Sequence, residues 1–246
     1  MSGKELVFGL HAATHILDKN PERVLAAFLQ KDRDDKRLGH IKNSLHLVGC
    51  HVTTLSSTQL DRLTEGGRHQ GVVLEVRARS ALSETDLMSL VQESGDATFL
   101  MILDSVQDPR NLGACMRVAD GVGATAVVVP KNRAVGLTVV ARKVASGAYV
   151  PFVQVTNLAR TLKSLRNAGV WIVGTSDAAD DDVYSSNLTG PIGVVMGGEE
   201  KGLRRLTREN CDALVSIPMR GRVSSLNVSV ASGVVLYEAL RQRKTP

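Results

Sequence analysis

The sequence predicts an α/β protein built on a mostly parallel sheet, with a small α/β unit ahead of it. Two observations lead there. From Thr98 onward, "TFLMILD", "TAVVVP", "VWIVGTS", "IGVVMG" and "ALVSIP" are unbroken apolar runs bounded by Gly, Pro or Asp. Such runs mark strands buried on both faces, and helical stretches lie between them, as in a parallel sheet covered by helices.

In chain order, the first segment reads as strand "LVFG", a helix from His11 to Lys19, strand "RVLAAFLQ" and a helix from Asp34 to Val48. Strand "HVTTL", a short helix from Ser57 and strand "GVVLEVR" follow. Beyond Arg77 the composition changes to "ARSALSETDLMSLVQESGD", where Ser83 and Asp86 form a capping box for one linking helix. The expected division is therefore a domain over 1–77, a linker over 78–96 and a second domain over 97–246. Parallel sheets bind ligands beyond the carboxyl ends of their strands. A site is expected after "ILD", "IVGT", "VVMG" and "SIPM".

Composition narrows the class. The 246 residues are 43% hydrophobic and 22% charged, ordinary for a soluble globular protein. No apolar run approaches the roughly 18 residues of a membrane span, and the first twenty or so residues match neither a secretory nor a transit pattern. The expectation is a cytoplasmic protein without a membrane partner. Cys50, Cys115 and Cys211 are widely spaced, with no C-x-x-C pair and no histidines at metal spacing, so neither a disulfide framework nor a metal is expected. A net charge of +5 fits an anionic partner. The first 80 residues carry 12 Lys/Arg against 9 Asp/Glu and the remainder 18 against 16, so neither part is a polybasic arm. Aromatic content of 3% is too low for a base-stacking sheet.

Three stretches carry polar residues at strand ends. In "ILDSVQDPRNLGACMRVADGVGA", Pro109 and Asn111 make a turn and N-cap for a helix from about Leu112. That start places Gly113, Arg117 and Asp120 on one stripe and Leu112, Cys115, Met116 and Ala119 on the apolar face. In "VVMGGEEKGL", Gly197, Gly198 and Gly202 surround Glu199, but the spacing is neither that of a Walker A loop nor that of a dinucleotide fingerprint. Adjacent glycines let a ligand approach the backbone closely; a strand-ending turn with two solvated glutamates fits the same residues. In "IPMRGRVSSLNVSVASGVVLYEAL", Ser224 or Ser225 offers an N-cap to a helix apolar all round, which must be covered by the domain or by a second subunit. Asn227 in its first turn either caps the helix or binds a ligand.

In this order, "DPRNLGACMRVADGVGA", "VVMGGEEKGL" and "IPMRGRVSSLNVSVASGVVLYEA" resemble motifs 1, 2 and 3 of the SpoU-type RNA ribose 2′-O-methyltransferases of the SPOUT superfamily. The resemblance covers residues 98–246, and "SLNVSVA" is highly specific to that group. "FGLHAATHIL" and "HQGVVLEV" resemble the ribosomal-protein-like RNA-binding domain of one branch, which methylates a guanosine ribose in the peptidyl-transferase region of 23S rRNA.

The resemblance implies a C-terminal trefoil knot, one of the rare exceptions to unknotted topology. It implies S-adenosyl-L-methionine as cofactor, held by Gly174, Thr175, Gly197, Gly198, Ile217, Met219, Ser225, Leu226 and Asn227. It also implies a homodimer built on the last helix. Catalysis falls to Arg117, oriented by Asn111, with Glu199, Ser225 and Asn227 around the ribose. A ribose hydroxyl has a pKa far above neutrality, so charge must be stabilised as the alkoxide forms. A guanidinium stays protonated. Arg117 is therefore expected to act electrostatically, with water, Glu199 or the RNA phosphate accepting the proton. Arg110 stands where the family frequently has His, and Gly198 where Ala is common. RNA rather than DNA follows from the 2′-OH. A tRNA substrate is the rival within the family. A non-catalytic RNA-binding module would be marked by loss of Arg117, Glu199 or Asn227, all of which are present, and a Rossmann oxidoreductase would need the absent G-x-G-x-x-G.

Overall fold

The computed structural model describes residues 3–31, 33, 35–77, 81–132, 134–145, 147–198 and 202–244. The chain divides into two compact units, Met1–Ser80 and Ala81–Pro246.

The first unit runs β1 (Lys4–Phe8), α1 (Leu10–Lys19), β2 (Val24–Gln30), α2 (Lys36–Leu47), β3 (Val52–Leu55), α3 (Ser57–Leu63) and β4 (Val72–Arg77). Its sheet has the order β1-β4-β2-β3, with only the β2–β3 pair parallel. The caps explain where the helices start. Asp35 accepts from the backbone N–H groups of Arg37 and Leu38 to open α2, and Ser56 with Gln59 forms a reciprocal capping box on α3. Leu38, Ile41, Leu45 and Leu60 are buried with Val72, Leu74 and Val76 of the central strand β4.

The second unit runs α4 (Glu84–Ser94), β5 (Phe99–Asp104), α5 (Pro109–Gly121), β6 (Ala126–Pro130), α6 (Val139–Val144), β7 (Phe152–Val155), α7 (Leu158–Asn167) and β8 (Trp171–Thr175). β9 (Ile192–Gly197), α8 (Arg205–Arg208), β10 (Ala213–Val215) and α9 (Val228–Lys244) complete it. The strands form a sheet in the order β10-β8-β9-β5-β6-β7, every neighbouring pair parallel. One face packs on α5, α6 and α9 through Leu112, Cys115, Ala141, Val235 and Leu236. The other packs on α4 and α7 through Leu87, Val91, Leu158, Leu162 and Leu165. The Ser83–Asp86 capping box is present at the start of α4.

Four local expectations need correction. α5 begins at Pro109 with Asp108 as N-cap, its carboxylate accepting from Arg110 N at 2.8 Å, so Asn111 lies inside the first turn and its amide is released from capping. Gly113 is buried rather than on the polar stripe. A methyl group there would meet Ala141 O and Val144 Cβ at 2.6 Å, so glycine is what lets α6 approach α5 this closely. Asn227, not Ser224 or Ser225, caps α9, its Oδ1 accepting from Ser229 N at 2.9 Å. The domain covers one side of α9: Val228, Val235, Leu236 and Ala239 are buried, whereas the apolar Val230 and Tyr237 on its uncovered side are 53% and 52% exposed. β7 was not anticipated, because "FVQV" is short and its Gln154 breaks the apolar run at an edge position.

The segment after β8 is stitched to the C-terminal part of the chain. Val183 N donates to Ser216 O at 2.9 Å, Ser216 N to Asp181 O at 2.8 Å, and Leu188 N to Gln242 Oε1 at 2.9 Å. Gln242 is also held by Glu238, whose carboxylate accepts from Arg241 at 2.8 and 2.7 Å. These bonds favour the charged form and lower the Glu238 pKa from 4.5 to about 2. A carboxyl depressed on folding stabilises the fold above its unfolded pKa and loses that contribution as pH falls through its folded value. The thermal midpoint should therefore drop between pH 4.5 and about 2 more steeply in the wild type than in Glu238→Gln.

Candidate active site

The polar residues of the second unit converge at the carboxyl ends of β8, β9 and β10. β9 ends at Gly197, where a methyl group would lie 2.4 Å from Gly202 C, and one at Gly198 would lie 2.8 Å from Ser105 O. Gly198 N donates to Gly202 O at 3.2 Å and Gly202 N to Gly198 O at 3.0 Å, with Gly202 at φ +59°. These glycines serve a chain that doubles back on its own backbone, a conformation that a side chain at 197 would block and one at 198 would crowd against Ser105 O. Below the loop, Asp104 at the end of β5 is fully buried and accepts from Arg204 Nε at 2.5 Å and Arg204 N at 2.9 Å. The strand end and the returning loop are thus tied by a charge-assisted pair. Glu199 lies outside the described residues.

A cleft of about 470 Å³ opens beside this loop, within the size range of small-molecule sites. Of the residues expected to hold a cofactor, Thr175, Gly197, Gly198, Ile217, Met219, Ser225 and Leu226 line it. Thr175 is fixed there by donating to Val195 O at 3.2 Å. Gly174 does not line the cleft. It is packed beneath Leu203, Cys211 and Leu214, whose nearest atoms would stand 2.7–2.8 Å from an added methyl group. Burial pushes the Cys211 thiol up to about 12, so no thiolate nucleophile is available beside the cleft.

Asn227 is flanked by the cleft residues Leu226 and Val228, and its Nδ2 donates to Asn111 Oδ1 at 3.1 Å. This bond joins α5 to the start of α9 across 116 residues of sequence. One amide thereby does two jobs, capping α9 through its oxygen and holding Asn111 through its nitrogen. Arg117 is exposed on α5 and does not line the cleft. It stands six residues beyond Asn111, about 9 Å along the helix axis at 1.5 Å per residue.

The cleft also contains Ser224, expected only as an N-cap, and residues that the sequence did not single out: Met196, Leu203, Asp177 and Arg208, the last donating to Ser176 Oγ at 3.2 Å. Asp177 follows the "IVGTS" strand end and could have been found by that rule. Arg208 sits on the four-residue helix α8, which has no signal of its own. Chemically, the lining offers apolar walls, strand-end backbone groups, one carboxylate and one guanidinium. Such a set suits a ligand with an apolar ring system at one end and an amino-acid zwitterion at the other, as S-adenosylmethionine has. Among the described residues, no cluster of His, Cys, Asp or Glu could hold a metal ion and no helix is long and apolar enough to cross a membrane.

Comparison with known proteins places this geometry. Residues 98–237 match the model of the SpoU rRNA Methylase family, and residues 6–81 match that of the RNA 2′-O ribose methyltransferase substrate-binding domain. The chain is 51% identical over 241 residues to the 23S rRNA (guanosine-2′-O-)-methyltransferase RlmB of Yersinia pestis, covering 97% of this chain and 98% of that protein. It is 49% identical to the protein of the same name from Shewanella oneidensis, over the whole of both chains. Among solved structures, the SpoU methyltransferase AviRb of Streptomyces viridochromogenes in complex with AdoMet superposes with a TM-score of 0.79 at 26% identity, covering 99% of this chain and 92% of that one.

Proposed function

Because the chain belongs to the SpoU rRNA methylase family, we propose that it transfers the methyl group of S-adenosyl-L-methionine to the ribose 2′-OH of a guanosine in 23S rRNA. The observation that carries this reading is its identity of about one half, end to end, with proteins named for that reaction.

When bound, the cofactor supplies an electrophilic methyl group. The residues of this chain do the rest. Thr175, Gly197, Ile217 and Leu226 line the cleft that takes the donor, and Asp177 and Arg208 offer opposite charges to its amino-acid end. Asn111 and Asn227, already bonded to each other, position the ribose at the rim with Ser225. Arg117 stabilises the alkoxide as it develops and remains protonated throughout. Glu199, water or the RNA phosphate takes the proton.

The first domain (1–77) takes the RNA and residues 97–246 perform the chemistry; of the segment 78–96 between them in sequence, helix α4 packs on the second sheet. The C-terminus forms a trefoil knot. Its support is the loop after β8, whose Val183 and Leu188 donate to Ser216 O and Gln242 Oε1 in the C-terminal part of the chain. The enzyme acts as a homodimer, for which the exposed Val230 and Tyr237 of α9 supply apolar surface. Its substrate lies in the peptidyl-transferase region, in the cytoplasm.

The test is direct. Purified protein, unmodified 23S rRNA and cofactor carrying a labelled methyl group should yield 2′-O-methylguanosine at one position. No ribose methylation, or methylation of tRNA in its place, overturns the proposal.

A further inference from the structure

We infer that the groove around Trp171, at the amino ends of the sheet strands, is a second RNA-contact site that stacks one unpaired nucleobase and holds an adjoining phosphate. This rests on reading the chain as an RNA methyltransferase. The sequence contains a single tryptophan, at the first position of β8 and 47% exposed. It stands at the opposite end of that strand from Thr175 of the cofactor cleft, about 13 Å away at ~3.3 Å per residue.

β10 pairs with β8 only from Val173 onward, so Trp171 projects past the end of its neighbour. The resulting groove, about 610 Å³, is lined by Lys163, Arg166, Asn167 and Asp212 as well as Trp171. Asp212 is committed: it accepts from Ile172 N at 2.9 Å and pairs with Arg166 at 2.7 Å, and its side chain is 10% exposed. Lys163 has no ion pair, and the Trp171 indole N–H and the Asn167 amide have no hydrogen-bond partner, among the described residues. α7 supplies Arg160, Lys163 and Arg166 at three-residue intervals and contains no acid; Arg160 pairs with Glu84 at 3.1 Å. What the groove presents is therefore a half-exposed indole, an ammonium, part of a guanidinium and two unused N–H donors.

A nucleotide satisfies all of these at once. Its base has a π-face to stack on the indole, and its phosphate meets Lys163 and the outer edge of Arg166. A nucleotide carries its ring and its anion in one unit, whereas a protein partner would have to bring an apolar or aromatic side chain and a carboxylate on separate residues. A site one strand length from the cleft would fix the RNA that flanks the target nucleotide.

The lone tryptophan makes the test specific. The intact chain, saturated with S-adenosylhomocysteine, is titrated with a single-stranded oligoribonucleotide of about eight nucleotides, within the footprint of single-strand sites. Indole emission should quench saturably. By fluorescence anisotropy, Trp171→Ala should weaken binding roughly tenfold, and Trp171→Phe should retain most of it. Lys163→Ala should lower the salt slope by about 0.7. Cofactor affinity should not move in any of the three, and the thermal midpoint should hold in Trp171→Phe and Lys163→Ala, so that lost RNA binding is not lost folding. Unchanged emission during binding, or equal binding by the Ala and wild-type proteins, overturns the site. Emission that follows protein concentration rather than RNA assigns the groove to a second copy and overturns it as well. Methyl transfer by the wild type without quenching sinks this site alone; absent transfer sinks the enzymatic reading, and quenching still decides the groove.

Discussion

Arg117→Ala should lower kcat/KM for 23S rRNA by about 100- to 1,000-fold, the range for removing one group that stabilises a developing oxyanion. Cofactor affinity should stay the same, because Arg117 does not line the cleft. Arg117→Lys should recover part of the loss, since a lysine carries the charge without the planar fork. Single-turnover methyl transfer with saturating RNA separates chemistry from binding. If Lys and Ala lose equally while RNA affinity holds, a purely electrostatic role is wrong. If the loss lies wholly in RNA affinity, Arg117 holds the phosphate instead of the reacting oxygen.

Gly197→Ala should abolish cofactor binding and destabilise the second unit by about 3 kcal/mol, at the upper end of overpacking costs. The added methyl group would sit 2.4 Å from Gly202 C and 2.7 Å from Leu203 N, and backbone atoms cannot turn aside as a side chain can. Gly221→Ala is the control. It lies in the neighbouring loop with nothing within 4 Å of the added atom, and should stay within about 0.5 kcal/mol of the wild type. Calorimetry with S-adenosylmethionine and thermal melts of both variants check this. Normal cofactor affinity in Gly197→Ala would show that the loop closes differently.

The parts of this molecule that were readable beforehand are those where one physical rule dominates. Strands buried on both faces must be apolar throughout, so β5, β6 and β9 stood out; β8 and the edge strand β10 are apolar runs too, and the strand-end rule then pointed to Thr175, Gly197 and Ile217. β7 escaped because an edge strand tolerates Gln154. The start of α5 was misplaced because Asp108 and Asn111 are both competent N-caps; the proline between them decides, being preferred at the first helical position. Gly174 and Gly113 look like flexible positions in sequence, and only three dimensions show that Leu203, Cys211 and α6 occupy the missing side-chain space. Arg208 reaches the cleft from a short segment without periodicity, so nothing in the sequence signals it, whereas Leu203 closes the "VVMGGEEKGL" stretch without standing out in it. The bond between Asn111 and Asn227 spans two helices, a pairing that no local pattern encodes.

That bond has a consequence for motion. Because Asn227 also secures the first turn of α9, any molecule that captures its amide competes with helix fraying at that end. Occupancy at the rim and order in the terminal helix are then coupled free energies, each shifting the other by an equal amount.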